Sequence, residues 1–261
     1  MKKIIYQIFK KLGFRLITNK KNSEIQNQIN NLKKNNEKLK FLLNIDPANQ
    51  KKLLKNFEYS KSQICQDWFV LDSLGLKEKG YFVEIGAASG VDLSNTYLLE
   101  KKFNWSGILC EPLPAWQDSL KRNRNSIIEN RCVFTQSNKI IDFFETEEKE
   151  FSTIGDYLYE DKHNIRRKKF NKIKKKTISL NDLLDFHNAP KEIDYLSIDT
   201  EGSEYEILKN FNFKNYSFKV ITVEHNNTNR KKLLDDLLLN NGYKKKLDHL
   251  SQFESWFTKV N

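Results

Sequence analysis

Three groups of residues in this 261-residue chain have the types and spacing to do chemistry. The first is Tyr81-Phe-Val-Glu-Ile-Gly-Ala-Ala-Ser-Gly90, an apolar run carrying an internal acid, Glu84, into a turn with Gly86, Ala87 and Gly90. Glycine lets a ligand approach the backbone closely at the carboxyl edge of a sheet, and an acid just before it suits a ligand with an ammonium group. The spacing is G-x-x-x-G rather than G-x-G-x-x-G, so a pyrophosphate cradle is not indicated. Glu111 ends the next apolar run, 21 residues past Gly90, where a carboxylate can accept both hydroxyls of a ribose. Together these features describe S-adenosylmethionine better than NAD. The second group is Ile193-Asp-Tyr-Leu-Ser-Ile-Asp-Thr-Glu-Gly-Ser-Glu204, which delivers Asp199 and Glu201 to the same edge. The third, Val220-Ile-Thr-Val-Glu-His-Asn226, ends on Glu224 and His225. Carboxylates at strand tips act as a general base or chelate a hard divalent cation, here through Asp199 and Glu201.

These residues need a scaffold that brings strand ends together. Strands are expected at Tyr81 to Ile85, Gly107 to Cys110, Arg131 to Thr135, Ile193 to Ile198 and Lys219 to Val223. Helices are expected at about 62–74, 94–102, 114–124, 179–187, 203–210 and 229–241. Ser179, three residues before Asp182, makes a capping-box-like start for the fourth helix. Alternating strands and helices are the signature of an α/β fold with a mostly parallel sheet covered on both faces. Tyr243 to Asp248 and Ser255 to Val260 close it as an antiparallel hairpin, which leans away from a dehydrogenase.

Composition sets the wider bounds. The chain carries 45 Lys and Arg against 34 Asp and Glu, a formal charge of +11 that at first suggests a polyanionic partner. Residues 1 to 62 hold 15 of the basic and 4 of the acidic residues, so the remainder is balanced. Within that remainder Lys162 to Lys176 holds nine basic residues and no acid, and reads either as a solvated loop or as a contact for an anionic substrate or membrane. A nucleic-acid partner is disfavoured by so acidic a remaining core. Cys65, Cys110 and Cys132 are odd in number and form no C-x-x-C pair, and no apolar run reaches the length of a membrane span. A reducing, cytoplasmic setting is expected, without a secretion signal.

The first 60 residues read as a basic helical extension and 61–261 as the catalytic domain. Ile4, Ile5, Ile8, Leu12 and Leu16 among lysines predict a short amphipathic helix over residues 1–17 that could lie on an anionic membrane surface. Ile25, Ile29, Leu32, Asn36, Leu39 and Leu43 follow coiled-coil spacing, a candidate homodimer seam over 25–43. Asp46-Pro47 marks a break and a fresh helix start.

From about Ser62 onward the chain resembles the FkbM-type methyltransferases. The resemblance rests on Ser62-Gln-Ile-Cys-Gln-Asp67, Phe82 to Gly90, Ser94-Asn-Thr96, Trp105-Ser-Gly107, Glu111-Pro112, Ser152-Thr-Ile154, Lys176 to Leu184, Asp199 to Glu204 and Val223 to Asn226. Ser89 departs from the family's more frequent Asp. The resemblance implies a Rossmann-like, class I fold: a seven-stranded, mostly parallel sheet, helices on both faces and a C-terminal antiparallel hairpin, preceded here by the N-terminal extension. It implies S-adenosylmethionine as cofactor, held by Glu84, Gly86, Ala87, Gly90 and Glu111, with Gln63, Asp67, Asn95 and Thr96 nearby. It also implies transfer of a methyl group to a hydroxyl oxygen, with His225 as first choice of base and Asp199, Glu201 and Glu224 around it. A sugar of a glycan or glycolipid precursor is the expected acceptor. A non-catalytic adaptor at a membrane and an RNA methyltransferase are the alternatives.

Overall fold

The computed structural model describes residues 19–159 and 162–260. The expected membrane helix over 1–17 therefore lies outside the described residues. The chain divides into two compact units, residues 1–43 and 44–261. The first contains helix α1 (Asn19–Leu42), on which Ile29, Leu32 and Leu39 of the heptad seam are exposed, as is Leu43 just past its end.

The second unit opens on α2 (Pro47–Lys55), started where the sequence predicts it: the Asp46 side chain accepts from the Ala48 N–H, with Pro47 in the first turn. The elements that follow are α3 (Gln66–Ser73), β1 (Tyr81–Ile85), α4 (Tyr97–Phe103), β2 (Ser106–Cys110), α5 (Pro114–Asn123), β3 (Ile127–Glu129), β4 (Cys132–Phe134), β5 (Ile140–Thr146) and β6 (Thr153–Ile154). The chain ends with β7 (Phe170–Ser179), α6 (Leu180–Phe186), β8 (Glu192–Ile198), α7 (Glu204–Lys209), β9 (Ser217–Glu224), α8 (Arg230–Asn240), β10 (Tyr243–Lys246) and β11 (Glu254–Lys259). The predicted cap of α6 is present, with Ser179 accepting from the Asp182 N–H.

Seven strands form one sheet in the order β10-β11-β9-β8-β1-β2-β3, parallel except for β10 and β11. The outer parallel strand is Ile127–Glu129, not the expected 131–135 segment. Cys132–Phe134 leaves the large sheet and instead pairs with β7 in a second sheet of order β4-β7-β5-β6. Two short apolar runs separated by two residues cannot be assigned to different sheets from period alone.

A second correction concerns Lys162 to Lys176, which is not simply a loop. From Phe170 it is strand β7, antiparallel to β5 over seven residue pairs. Its period of two is real: Ile173 faces the core while Lys172 and Lys174 are exposed. The density of charge conceals that alternation, because only one inward position carries an aliphatic side chain.

The two faces of the large sheet differ in chemistry. Val83, Ile85, Leu196, Ile198, Ile221, Val223 and Phe257 face one way, packed on α6, α7 and α8 through Leu183, Leu184, Ile207, Leu208, Leu234 and Leu238. On the other face Glu84, Ser197, Thr222 and Trp256 lie in a row across four strands, with Glu224 beside Glu254 one step further along. Trp256 stacks there on Phe69 of α3, ring centroids 4.9 Å apart. Leu196 is fully buried on the central strand β8. Leu196→Ala is expected to destabilise the protein by about 2–5 kcal/mol through lost burial and the cavity left behind, checked by urea denaturation.

Candidate active site

The cleft opens at the carboxyl ends of β1, β2 and β8, where open α/β sheets bind ligands. Glu84, Gly86, Ala87, Asn95, Glu111, Asp199 and Glu201 all line it. Gly90, Thr96, Glu224 and His225 do not, and neither do Gln63 and Asp67. Gln63 is exposed, while Asp67 is fully buried and accepts from Ser60 Oγ, Ser62 Oγ and the Trp68 N–H, an arrangement that closes the segment before α3.

Each acid at this edge has its own environment. Glu84 accepts from Ser94 Oγ at 3.0 Å, the Asn95 N–H at 2.7 Å and Thr96 Oγ1, and lies 3.7 Å from the buried Arg124 guanidinium. Burial raises its pKa, opposed by Arg124 and those hydrogen bonds. This also explains why α4 starts at Tyr97 rather than at the expected 94. The three preceding residues wrap the Glu84 carboxylate instead of entering the helix. Asn95 then turns its amide nitrogen to Ser197 Oγ, leaving its buried Oδ1 without a hydrogen-bond partner among the described residues.

Gly86 makes the closest backbone approach. It adopts φ +91°, and a Cβ there would lie 1.9 Å from the Asp199 carbonyl oxygen, so the turn after β1 can press on β8 only as glycine. Gly90, at φ +76°, makes room instead for Leu120 and Arg124 of the α5 region. Glu111 accepts from the Ala88 N–H at 2.9 Å and the Leu113 N–H at 2.8 Å; burial nevertheless drives its pKa up to about 7. Each of its oxygens accepts one of these two bonds, and the residue lines the cleft. Leu113, Trp116, Cys132, Val133, Phe143 and Ile154 form an apolar wall beyond it.

The second acid group is built on an unusual turn. Glu201 sits in the left-handed region at φ 60° and Gly202 at φ 129°. Glu204 fastens this turn by accepting from the Thr200 N–H, Thr200 Oγ1 and the Gly202 N–H. Oxygens of Asp199, Glu201 and Glu224 lie within 4.8 Å of one another. Glu201 is paired with Arg167 at 2.7 Å, and that guanidinium is fully buried and also donates to the Phe151, Tyr157 and Leu158 carbonyls. Among the described residues Asp199 and Glu224 have no comparable cation. Burial, first, and the neighbouring acids push Glu224 well above the ordinary carboxylate range, while Asp199 rises to about 6. The direction is that of a pair sharing a proton, held on Glu224 and directed to an ionised Asp199.

His225 differs from its expected role in geometry. Its Nδ1 accepts the Asn227 N–H at 3.0 Å, which places the neutral ring's hydrogen on Nε2, and burial lowers its pKa to about 4. The neutral ring at pH 7 is thus a donor at Nε2, with its one lone pair already used.

Several residues of this region carried no signal in the sequence. Arg124 and Arg167 stand among other basic residues with nothing to mark them as buried, and Gln66, which donates to Glu254 at 2.6 Å, meets it from 188 positions away. Glu254 also accepts from Trp256 Nε1 at 2.8 Å, and burial raises its pKa to about 8.

The seven-stranded sheet, the glycine turn after β1, the acid following β2 and the carboxylates at the ends of β8 and β9 are the architecture of a Rossmann-like, class I methyltransferase fold. The Methyltransferase FkbM domain matches residues 84–245, and the chain belongs to that family. Among solved structures it is similar to methyltransferase FkbM from Methylobacillus flagellatus KT, at 12% identity and a TM-score of 0.45, over 69% of this chain and 43% of that one. The chain thus spans less than half the length of that protein. It is also similar to precorrin-6y C5,15-methyltransferase from Geobacter metallireducens GS-15, at 14% identity and a TM-score of 0.40, over 73% of this chain and 84% of that one. The N-terminal domain of human METTL16 in complex with SAH aligns at 12% identity and a TM-score of 0.39, over 74% of this chain and 68% of that one. Comparison with curated proteins gives no match. Among the described residues no helix is long and apolar enough to cross a membrane.

Two outcomes test this electrostatic arrangement. Arg167→Leu leaves the Glu201 carboxylate and three carbonyls without their buried cation, and is expected to cost about 3–5 kcal/mol in denaturant unfolding. For Glu254, a folded pKa of about 8 against an ordinary 4.5 means stability that is full below pH 4.5 and lost as pH rises through about 8. Glu254→Gln, which stays neutral, is expected to flatten the fall of Tm between those pH values in thermal melts.

Proposed function

We propose that the chain is an O-methyltransferase that modifies a hydroxyl on a sugar of a glycan or glycolipid precursor. The observation that carries the reading is the carboxyl pair Asp199 and Glu224, one member lining the cleft and both lacking a cationic partner among the described residues, beside a third acid that has one. Such a pair can accept a proton from a weak nucleophile and retain it. A reading of the fold as a non-catalytic relic gives no reason to keep it.

The cleft fits S-adenosylmethionine on this chain's own features. Asn95 Oδ1 is an orphaned acceptor suited to an ammonium, Glu111 has free lone pairs for a ribose diol, and the wall from Leu113 to Ile154 suits a purine. When bound, the cofactor supplies an electrophilic sulfonium methyl. The protein then has to align the acceptor oxygen, exclude water and take up a proton. In this reading Asp199 is the base in place of His225. Glu224 keeps it oriented by donating the shared proton, and Glu201 is fixed by Arg167. Trp116, Lys149, Glu150 and Ser152 line the cleft with an aromatic face and polar ends, which supports a sugar as acceptor. A second arrangement draws on the same three acids, whose spacing would also suit a hard divalent cation. Outside the catalytic unit, the exposed Ile29, Leu32 and Leu39 on α1 and Leu43 just past its end support a pairing of two copies, and residues 1–17 support attachment to the inner face of a membrane.

Isothermal titration is expected to show S-adenosylmethionine binding that Glu111→Ala weakens by about tenfold or more, as two hydrogen bonds to a charged group are lost. Absence of binding by the intact protein would remove the enzymatic reading. With a radiolabelled methyl donor, label is expected in solvent-extractable glycolipid and not in nuclease-sensitive material. The rate should rise with pH through about 6, as Asp199 ionises. Asp199→Asn is expected to lower turnover by about 100-fold or more while leaving cofactor binding intact. Loss of activity on chelation, restored by magnesium, would favour the cation arrangement over the proton-sharing one.

A further inference from the structure

The second sheet has an outer surface that the cleft does not use. In the β5–β7 pair Ile140 lies opposite Lys176, Asp142 opposite Lys174, Phe144 opposite Lys172 and Thr146 opposite Phe170. Directly opposed residues of an antiparallel pair share a face, so these side chains form one surface, closed at one end by the fully buried Thr146. The alternate set, including Phe143, Ile141 and Ile173, packs inward with Leu113 and Ile154 on the wall of the cleft.

On the outer surface Lys172, Lys174 and Lys176 are all exposed, as are Ile140 at 63% and Phe170 at 38%. Asp142 is the one acid among the eight, and it pairs with both Lys172, at 2.6 Å, and Lys174. The strip therefore keeps an excess of positive charge. Phe144 is turned edge-on to Phe170, with centroids 4.8 Å apart, and lies under the Lys172 ammonium. Phe170 is therefore the one exposed ring of the strip, and a succession of nucleic-acid bases finds no run of aromatic platforms on which to stack, which disfavours an RNA strand. The combination of ammonium groups on flexible stems with exposed aliphatic and aromatic carbon fits a bilayer interface, where lysines meet lipid phosphates and Ile140 and Phe170 reach the acyl boundary.

The geometry points to the outer face of the β5–β7 hairpin as a docking surface for an anionic lipid bilayer, distinct from residues 1–17. The same small sheet would then carry the membrane contact on one side and the cleft wall on the other. This assignment does not depend on the acceptor or on the catalytic reading.

The test is co-sedimentation of the full chain with vesicles of equal parts phosphatidylglycerol and phosphatidylcholine at low salt. K172E/K174E/K176E is expected to lower the partition coefficient by at least about tenfold, since each lysine near an anionic surface is worth several-fold in binding. K121E/K214E/K232E, an equal charge change at exposed lysines elsewhere, should change it by less than about twofold. I140S/F170S should lower it several-fold without changing its salt dependence, because carbon rather than charge is removed. K172Q/K174Q/K176Q serves if the glutamate variant does not show the parent's thermal transition. Undiminished binding by the first variant, an equal loss in the control, or binding to mixed RNA but not to vesicles would overturn the assignment.

Discussion

Burying carboxylates is expensive, and this protein buries Glu84, Glu111, Glu201, Glu204, Glu224 and Glu254 around one end of one sheet, with the half-buried Asp199 among them. In a low-dielectric interior each must find a cation, a set of N–H donors, or a proton. The local architecture follows from how each demand is met. Glu84 bends residues 94–96 around itself and draws Arg124 out of the end of α5. Glu201 draws Arg167 into the interior, which fastens the segment after β6 to the turn after β8. Glu204 and Glu111 are met by backbone N–H groups, and so shape the loops they close.

What remains after those demands are met is the chemistry. Among the described residues Asp199 and Glu224 have each other and no cation, and a largely enclosed pair of this kind holds a proton that one acid alone would release. The contrast with Glu84 is informative. Both acids lie at strand ends in the same unit and line the cleft, yet Glu84 is enclosed by three hydrogen-bond donors and the Arg124 guanidinium, which shape the loop beside it. Asp199 is half-buried and lines the cleft. His225 moves the other way: the donor that fixes its ring consumes the lone pair a base requires.

The second sheet gives the cleft its asymmetry. Strand β4 is diverted from the large sheet at Cys132, and β5, β6 and β7 build a wall against it. That wall brings Phe143 and Ile154 toward the apolar end of the cleft and presents lysines outward. A run of nine basic residues thus divides by structural role: Arg167 is a buried structural cation, Ile173 interrupts the run with an inward anchor, and the alternate lysines remain at the surface.

The sequence by itself determined the class of fold and the edge at which the site lies. The glycine turn, the acid after β2 and the two acid-bearing strand ends are local patterns, and local patterns survive in one dimension. It also determined the start of α2 and of α6, because a capping side chain acts within three residues of itself. Only the tertiary structure decided which acids are satisfied and which are reactive, since Arg124, Arg167 and Gln66 reach their partners across 34 to 188 positions of chain. It likewise decided that Cys132–Phe134 belongs to a second sheet and that the basic run is a strand. Pairing register and burial are set by what a segment packs against, and no residue type or spacing records that in advance.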